Sequence, residues 1–344
     1  MFLDQSVKFF ENIFIPYLLK KKIDTVIHFG DLVDRRKYIN FQVLHVIRNR
    51  ILSLFEKNKI TMHLIIGNHD TYYKNSQKVN APSELFADLE FLKIYTEPQE
   101  VVFDGTPILF VPWITDETQE QATNLLSTSQ SNIVCGHFQI TGYEMFSGIY
   151  STEGMSHTVF SNFEAVFSGH FHHKSKQGNI HYLGSPYELT FNELDARKGF
   201  HVFDTTTSKL TFIKNDNRMF YKHVYNDKDL SLEEVLDFDS SIYTDKFVKI
   251  VVEHKENGFF FDAFVEEIRR SNPHDFSIVD LTEMDFSEAT IDDNYETHNT
   301  MDILFDQIDN LKSAYIKTPA ERNVLKELMQ KLYLEAHEMD SSTT

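Results

Sequence analysis

Four short apolar runs in this sequence end in a glycine followed by a residue that can bind a metal ion, and no other feature constrains the fold as strongly. The runs end in FGDLVDRR, IGNHD, CGHF and SGHFHH, which contribute Asp31, Asn68, His137, His170 and His172. In an α/β sheet, functional groups gather in the loops beyond the carboxyl ends of the strands. Glycine at these positions permits tight turns and a close approach of the backbone to an ion. The pattern therefore predicts that the five side chains meet at one edge of a sheet.

The chain up to about residue 215 has the pattern of an α/β unit. Predicted buried strands cover residues 25–29, 62–66, 108–111, 132–135 and 165–167. Between the first two, apolar residues recur at the spacing of an amphipathic helix, namely Phe41, Leu44, Ile47, Ile51 and Leu54. Further strand-like segments lie at residues 180–183, 199–203 and 209–213, so the later part of this unit is predicted to be richer in strands.

Two smaller units are predicted to follow. Residues 218–285 alternate between strand-like and helical patterns, as expected for a small α+β cap domain. Residues 297–340 are predicted to form a C-terminal helical hairpin. Its second helix opens with Thr318-Pro319-Ala320-Glu321, a capping box with proline at the first helical position. An apolar stripe follows on that helix, made of Leu325, Leu328, Leu332 and Tyr333.

Composition excludes several classes of protein. The formal net charge of −19 argues against a protein that coats nucleic acid by bulk electrostatics. It permits an enzyme that grips a phosphodiester through metal ions. Cys135 is the single cysteine and cannot form an intramolecular disulfide, which fits a reducing compartment. No apolar stretch has the length of a membrane helix, and the N-terminus lacks the basic start of a signal peptide. We therefore expect a cytoplasmic protein that does not enter a membrane.

The ligand types indicate a hydrolytic centre with two metal ions. A carboxylate can bridge two divalent ions, histidine supplies neutral nitrogen, and an asparagine amide adds an uncharged oxygen. Such a pair of ions can activate water and clamp both oxygens of a phosphoryl transfer. Nitrogen and oxygen ligands without thiolate favour manganese, iron or zinc over calcium. A lone glycine-histidine pair is usually structural, so the prediction depends on the ordered set. His28, His63 and His181 lie within strand-like runs and are interpreted as structural, and His173 falls outside the pattern.

The ordered motifs resemble those of the calcineurin-like metallophosphoesterase superfamily, whose signature runs DxH, GDxxD, GNHD/E, GH and GHxH. Within it, the chain is most similar to the nuclease subunits of SbcCD-type recombination complexes, including those of bacteriophages. Supporting segments are GDLVDRRK, GNHDTYYKN followed by NAPSEL, VPW, and YLGSPYELTFNELDARKGFHVFD. The resemblance implies a four-layer α/β/β/α sandwich with a small α+β cap domain and a C-terminal helical hairpin.

The resemblance also implies roles for the ligands. Asp31 would bridge both metal ions. Asn68, His137 and His170 would complete the coordination of one ion, and His172 would bind the other.

Four neighbouring residues receive roles from the same motifs. His69 would face the scissile phosphate and protonate or stabilise the leaving oxygen. Asp70 would be a carboxylate that fixes the orientation of His69. Arg35 and Arg36 lie just past the bridging ligand and are candidate phosphate contacts, with surface ion pairs as the alternative.

The implied activity is that of a DNA endonuclease or exonuclease with two divalent ions, expected to be Mn²⁺. It would act in recombination and double-strand-break processing, in the host cytoplasm if the source is viral. The expected partners are DNA and an SMC-like ATPase that docks on the C-terminal hairpin, and a homodimer is compatible with both.

One departure from the family is important. The DxH motif is missing, and residues 1–22 already have the pattern of the helix that follows it. We therefore expect residues 1–215 to form a nuclease domain that lacks its first strand, with impaired activity that about 20–30 upstream residues, a strand plus a loop, would restore.

Other functions stay open. GDLVDR also suggests a protein Ser/Thr phosphatase or another phosphodiesterase, although phosphatases usually have Gly at the position of Arg36 and Glu at that of Asp70. The missing DxH motif suggests a catalytically weak scaffold subunit, whereas the five ligand positions argue against it.

Overall fold

The computed structural model describes residues 2–34, 36–146, 149–194, 196–282, 305, 308–309 and 318–340. Most of the first helix predicted for the C-terminal hairpin therefore lies outside the described residues, and so does Arg35.

The N-terminal segment is helical, as its apolar spacing predicts. Helix α1 (Phe2–Phe9) continues through a π-helical turn (Phe10–Phe14) into α2 (Ile15–Lys21). Pro16 lies in the first turn of α2, directly after the π-helical turn. The segment ends at Lys22, which adopts a left-handed conformation with φ of 58°.

The first sheet contains three parallel strands in the order β1-β2-β5. Their bounds are Thr25–His28 (β1), Thr61–Ile65 (β2) and Leu92–Tyr95 (β5). The β1–β2 connection is helical, and it consists of α3 (Phe41–Val46), a π-helical turn (Ile47–Leu52) and α4 (Ser53–Lys57). The hairpin β3 (Thr71–Tyr73) and β4 (Ser76–Asn80), with the short helix α5 (Ala81–Phe86), joins β2 to β5.

The second sheet contains six strands in the order β12-β13-β11-β8-β7-β6. Their bounds are Gln99–Phe103 (β6), Thr106–Val111 (β7), Ile133–Gly136 (β8), Ala165–Ser168 (β11), Ser175–Gln177 (β12) and Ile180–Tyr182 (β13). Between β7 and β11 lie α6 (Gln119–Thr128), the small hairpin β9 (Glu144–Phe146) and β10 (Ile149–Tyr150), and a 3₁₀ turn (His157–Phe160). A short 3₁₀ turn also spans Phe191–Glu193 after β13.

These elements pack in four layers, which confirms the α/β/β/α sandwich. Phe55 of α4 and Leu64 of β2 belong to the apolar cluster between the N-terminal helices and the first sheet. Ile65 and Phe110 belong to the cluster that joins the two sheets. Leu126 of α6 packs with the opposite face of the second sheet. Strands buried on both faces explain why the predicted runs are almost continuously apolar.

Two further sheets follow. The hairpin of β14 (Gly199–Asp204) and β15 (Lys209–Lys214) contributes side chains to the cluster between the main sheets. Three parallel strands then form a separate sheet in the order β16-β17-β18. They are β16 (Phe220–Asn226), β17 (Phe247–His254) and β18 (Asp275–Asp280), and helix α8 (Gly258–Arg270) connects the last two. A short helix α7 (Leu232–Val235) and a 3₁₀ turn (Ser240–Tyr243) precede β17. The boundaries 1–215, 218–285 and 297–340 stay predictions.

A cavity of about 2350 Å³ lies inside the first unit and reaches the predicted ligands. Residues of β1 and β14 both line it, and within the described residues β1 pairs only with β2 and β14 only with β15. Phe14 and Phe200 meet across it, with ring centroids 4.8 Å apart. The Nδ1 atom of His28 is buried there without a hydrogen-bond partner among the described residues.

The last described helix is α9 (Pro319–Asp340). Its predicted capping box is present, because the Glu321 N–H donates to Thr318 Oγ1 at 3.3 Å and the Thr318 N–H donates to Glu321 Oε2 at 2.9 Å. Within the described ranges, none of the helices combines the length and apolarity needed to cross a bilayer.

Candidate metal centre

The turn after β1 holds Asp31 in a conformation that side chains rarely adopt. Asp31 has a φ of +55° and follows Gly30, which has a φ of +92°. A Cβ on Gly30 would lie 2.6 Å from His137 Nδ1 and 2.7 Å from the Gly67 backbone. Only glycine allows this approach, so the glycine before the carboxylate is a packing requirement. The strained backbone of Asp31 is the kind that concentrates at functional sites.

Asp70 supplies the contacts that maintain this turn. Its Oδ2 accepts hydrogen bonds from the N–H groups of Asp31 at 2.8 Å and Gly67 at 2.9 Å. Its Oδ1 accepts from Leu32 at 2.9 Å and Val33 at 3.3 Å. Asp70 is fully buried, and burial together with the charge of Asp31 raises its pKa to about 7. The carboxylate thus joins the loop after β1 to the loop after β2.

Four ligand atoms converge beyond the strand ends. Asn68 Oδ1 lies 2.9 Å from His137 Nε2 and 3.0 Å from His170 Nδ1. Asp31 Oδ2 lies 3.3 Å from His137 Nε2. Ligand atoms of Asp31, His137 and His170 all lie within 4.8 Å of one another. The structure therefore brings together four of the five ligands predicted from the sequence.

The hydrogen bonds show that this cluster suits a cation. His137 Nδ1 donates to the carbonyl of Phe29 at 2.6 Å, so in the neutral ring Nε2 carries a lone pair. That lone pair faces two oxygens, from Asn68 and Asp31, neither of which has a proton to share. Acceptors pointed at one another are stabilised by a positive charge between them. A divalent ion fits this donor set of two oxygens and two imidazole nitrogens.

The pKa values agree with that charge pattern. Burial lowers the pKa of His170 to about 3, helped by neighbouring His137, so its ring is neutral and able to bind a metal. Burial opposes ionisation of Asp31, but His137 outweighs it and lowers the pKa of Asp31. In the same way, Asp31 raises the pKa of His137 against the effect of burial. In the absence of a bound cation, the negative charge of Asp31 favours a proton on His137.

His69 lies beside the cluster with its ring partly exposed. Its N–H donates to Asp31 Oδ1 at 2.8 Å, and its ring Nδ1 donates to the carbonyl of Asp34 at 2.8 Å. Nε2 therefore remains available to hold or deliver a proton. The family resemblance implies that Asp70 orients this ring. Both oxygens of Asp70 instead accept backbone N–H groups, and the Asp34 carbonyl contacts the ring.

His172 lies on the same loop as His170, and its ring is held by a residue that the motifs did not indicate. Its Nδ1 donates to Glu193 Oε1 at 2.9 Å. Glu193 is 1% exposed and also contacts Lys198 Nζ at 2.9 Å. His172, Glu193 and the four-ligand cluster all line the same cavity.

Three more residues that were named from the sequence can be located in the structure. Arg36 is half-buried, and its Nη1 atom has no hydrogen-bond partner among the residues described here. Its contact with phosphate stays a prediction. Burial lowers the pKa of His173. Trp113, which the sequence indicated only as part of VPW, packs beside the cluster with its ring centroid 5.3 Å from that of His170.

The chain is similar to several known proteins. The family model for calcineurin-like phosphoesterases matches residues 3–174. Exonuclease subunit 1 of Enterobacteria phage T4 is 29% identical over 328 residues, which cover 94% of this chain and 90% of the relative. A nuclease SbcCD subunit of Staphylococcus saprophyticus is 25% identical, over 72% of this chain and 69% of the relative. The Staphylococcus epidermidis protein of that name is 25% identical, over 60% and 62%. A solved archaeal phosphodiesterase is similar with a TM-score of 0.31 and 16% identity, over 58% of this chain and 88% of that one.

The chain belongs to the calcineurin-like phosphoesterase family, and it is a metal-dependent phosphoesterase. The phage exonuclease subunit matches it along almost its whole length.

Proposed function

We propose that this protein is a metal-dependent nuclease that hydrolyses DNA phosphodiesters. The observation that carries the proposal is the convergence of Asp31, Asn68, His137 and His170 at the strand ends, with His69 beside them. The relatives named as nuclease or exonuclease subunits favour DNA as the substrate. Divalent ions bound there would activate water and neutralise charge on the phosphate.

The residues have distinct roles in this proposal. Asn68, His137 and His170 would hold one ion, His172 would hold a second, and Asp31 would hold both. His69 presents Nε2 to the leaving oxygen, because its Nδ1 is already donated to the Asp34 carbonyl.

Asp70 maintains the turn of Asp31 through its four backbone contacts. Arg35 and Arg36 contact substrate phosphates. The oxygen and nitrogen donors suit manganese, which we propose as the physiological metal.

A pair of chromogenic substrates separates this function from its rivals. The full chain, supplied with Mn²⁺, should hydrolyse bis(p-nitrophenyl) phosphate much faster than p-nitrophenyl phosphate. Preference for the monoester would favour a Ser/Thr-type phosphatase. Absence of both activities, with metal bound, would favour a scaffold subunit or a nuclease impaired by the missing DxH motif. Degradation of linear duplex DNA then tests the nuclease assignment directly.

We further propose that α9 binds an SMC-like ATPase and that the pair acts in recombination and double-strand-break processing. Two residues of the predicted stripe, Leu328 and Leu332, are 51% and 48% exposed, and Val324 on the same helix is 65% exposed. Relatives are named as subunits, which supports a partner. Exposed apolar stripes of this kind are suited to helix-in-groove binding.

The matched test uses Leu328→Glu/Leu332→Glu against Glu327→Gln/Lys331→Gln on the same helix. The first variant should lose co-purification with the co-expressed ATPase, while hydrolysis of the chromogenic diester stays unchanged. Equal co-purification of both variants would contradict the docking role.

A further inference from the structure

We propose that Glu193 and Lys198 are a positioning pair that fixes the imidazole of His172 in the tautomer and orientation that bind a metal ion. The inference deepens the proposed function and rests on it for the role of His172. It assigns a task to two buried, charged residues that lie within the segment YLGSPYELTFNELDARKGFHVFD but received no role from the sequence.

The carboxylate of Glu193 is held on all sides. Its Oε1 accepts the Nδ1–H of His172 at 2.9 Å. Its Oε2 accepts the N–H of Leu189 at 2.7 Å and contacts Lys198 Nζ at 2.9 Å. Because each oxygen has its own partners, the carboxylate cannot rotate without breaking several hydrogen bonds at once.

Lys198 contacts the backbone of the same histidine. Its side chain is 4% exposed, and its ammonium donates to the carbonyl of His172 at 3.0 Å and to Ser185 Oγ at 2.6 Å. Glu193 therefore contacts the ring of His172, and Lys198 contacts its main chain. The two charges also compensate each other, which a buried carboxylate or ammonium requires.

The consequence for His172 is chemical. Its side chain is 41% exposed, so packing alone leaves the ring free to turn. Donation of Nδ1–H to a fixed carboxylate places the lone pair on Nε2. Metal-binding histidines usually donate their second nitrogen to a carboxylate in this way, and such partners contribute roughly 10–100-fold to metal affinity. The proposed role is therefore to orient His172 and not to stabilise the fold, because a buried ion pair alone is weak evidence of stabilisation.

The main test variant is Glu193→Leu/Lys198→Met, which removes both charges together and preserves most of the volume. The ring tautomer of His172 is read from ¹⁵N shifts of histidine-labelled, metal-free protein, with assignment from His172→Gln. Mn²⁺ affinity is read by calorimetric titration. Wild type should show the Nδ1-protonated form. The variant should lose that preference and bind Mn²⁺ roughly 10–100-fold more weakly.

Two further variants control for the loss of an ion pair elsewhere and for a failure of the double variant to fold. Lys255→Met/Asp280→Leu removes a partly exposed ion pair (2.5 Å) in the β16–β18 unit by the same kind of substitution and should retain both the wild-type tautomer and affinity. Glu193→Gln alone is isosteric and covers the case in which the double variant fails to fold. Its neutral amide should still weaken Mn²⁺ binding.

Wild-type tautomer and affinity in Glu193→Leu/Lys198→Met would overturn the proposal, and so would wild-type affinity in Glu193→Gln if only that variant folds. Neither readout uses DNA. A failure of the nuclease assignment would instead appear as absent diester hydrolysis with an intact His172 tautomer, so the two failures are distinguishable.

Discussion

The N–H of Asp31 donates to the carboxylate of Asp70 at 2.8 Å, although 39 positions separate the two residues. The same carboxylate accepts three more backbone N–H groups, from Leu32, Val33 and Gly67. One buried side chain therefore joins the loops after β1 and β2. The position of Asp31, which we propose as the bridging ligand, depends on these contacts of Asp70.

Replacement of this carboxylate should loosen the centre. Asp70→Asn places an amide NH₂ against backbone donors, which should lower the free energy of unfolding by about 1–3 kcal/mol. It should also weaken Mn²⁺ binding. Urea unfolding and calorimetric titration measure the two effects. Asp104→Asn, in an exposed turn, is the matched control. Wild-type stability in Asp70→Asn would show that the four contacts contribute little.

Replacement of Asp31 should reduce metal binding and diester hydrolysis more than any other substitution described here. Asp31→Asn keeps the hydrogen bond from the His69 N–H but removes the charge that attracts a cation. We expect metal content after dialysis to fall and diester hydrolysis to drop below detection. Asp24→Asn, an exposed residue just before β1, makes the same charge change and should retain both. Full Mn²⁺-dependent activity in Asp31→Asn would mean that the centre lies elsewhere.

Replacement of His69 should lower the rate of diester hydrolysis and leave the amount of bound metal unchanged. Its ring acts on the leaving oxygen in our proposal, so His69→Ala should lower the rate of diester hydrolysis by roughly 10²–10⁴-fold. Bound metal, counted by elemental analysis, should stay at the wild-type level. His157→Ala, on an exposed 3₁₀ turn, serves as the control. Loss of metal in His69→Ala would make His69 a ligand.

Asp227 should make the β16–β18 unit sensitive to acid. Its carboxylate accepts the N–H groups of Glu256 at 2.8 Å and Asn257 at 2.9 Å, and the hydroxyl of Tyr225 at 3.1 Å. Burial opposes ionisation, but these hydrogen bonds outweigh it and lower the pKa of Asp227. A depressed pKa in the folded state stabilises the fold above the ordinary carboxyl value of about 3.9, and the contribution is lost as pH falls below it.

The comparison with Asp227→Asn tests this linkage. The difference in unfolding free energy between wild type and variant should be largest above about pH 4 and should shrink on further acidification. Thermal unfolding followed at several pH values measures it. Asp229→Asn, exposed in the adjoining turn, should show no such trend. A difference that stays constant with pH would argue against a charged Asp227.

The sequence predicted much of the fold because the relevant signals are local. A buried parallel strand is a continuous apolar run, and the glycine after it marks the turn that carries a ligand. Asp31 and His137 could therefore be identified without a structure. Glu193 and Lys198 could not, because within ELDARK they have the composition of an exposed loop. Their burial depends on pairing with each other and with a histidine 21 residues away from Glu193.

The contacts of Asp70 could not be predicted from the sequence for a similar reason. Its neighbour in sequence, His69, suggested a side-chain partner, whereas its actual partners are main-chain N–H groups that carry no sequence signal. The π-helical turns at Phe10–Phe14 and Ile47–Leu52 were also not predicted. Their apolar spacing is indistinguishable over five or six residues from that of an α-helix.

The cavity between β1 and β14 has a consequence for the motions of the protein. At about 2350 Å³ it is far larger than the space one water molecule needs, and it is open to the ligand cluster. Backbone amides of these strands that face it can meet solvent without global unfolding. Amide hydrogens in β1 and β14 should therefore exchange with deuterium sooner than those of β8 and β11, which pair on both sides. The loop that carries Asp31 leaves directly from β1, so the carboxylate that we propose as the bridging ligand follows a strand that pairs, within the described residues, on one side only.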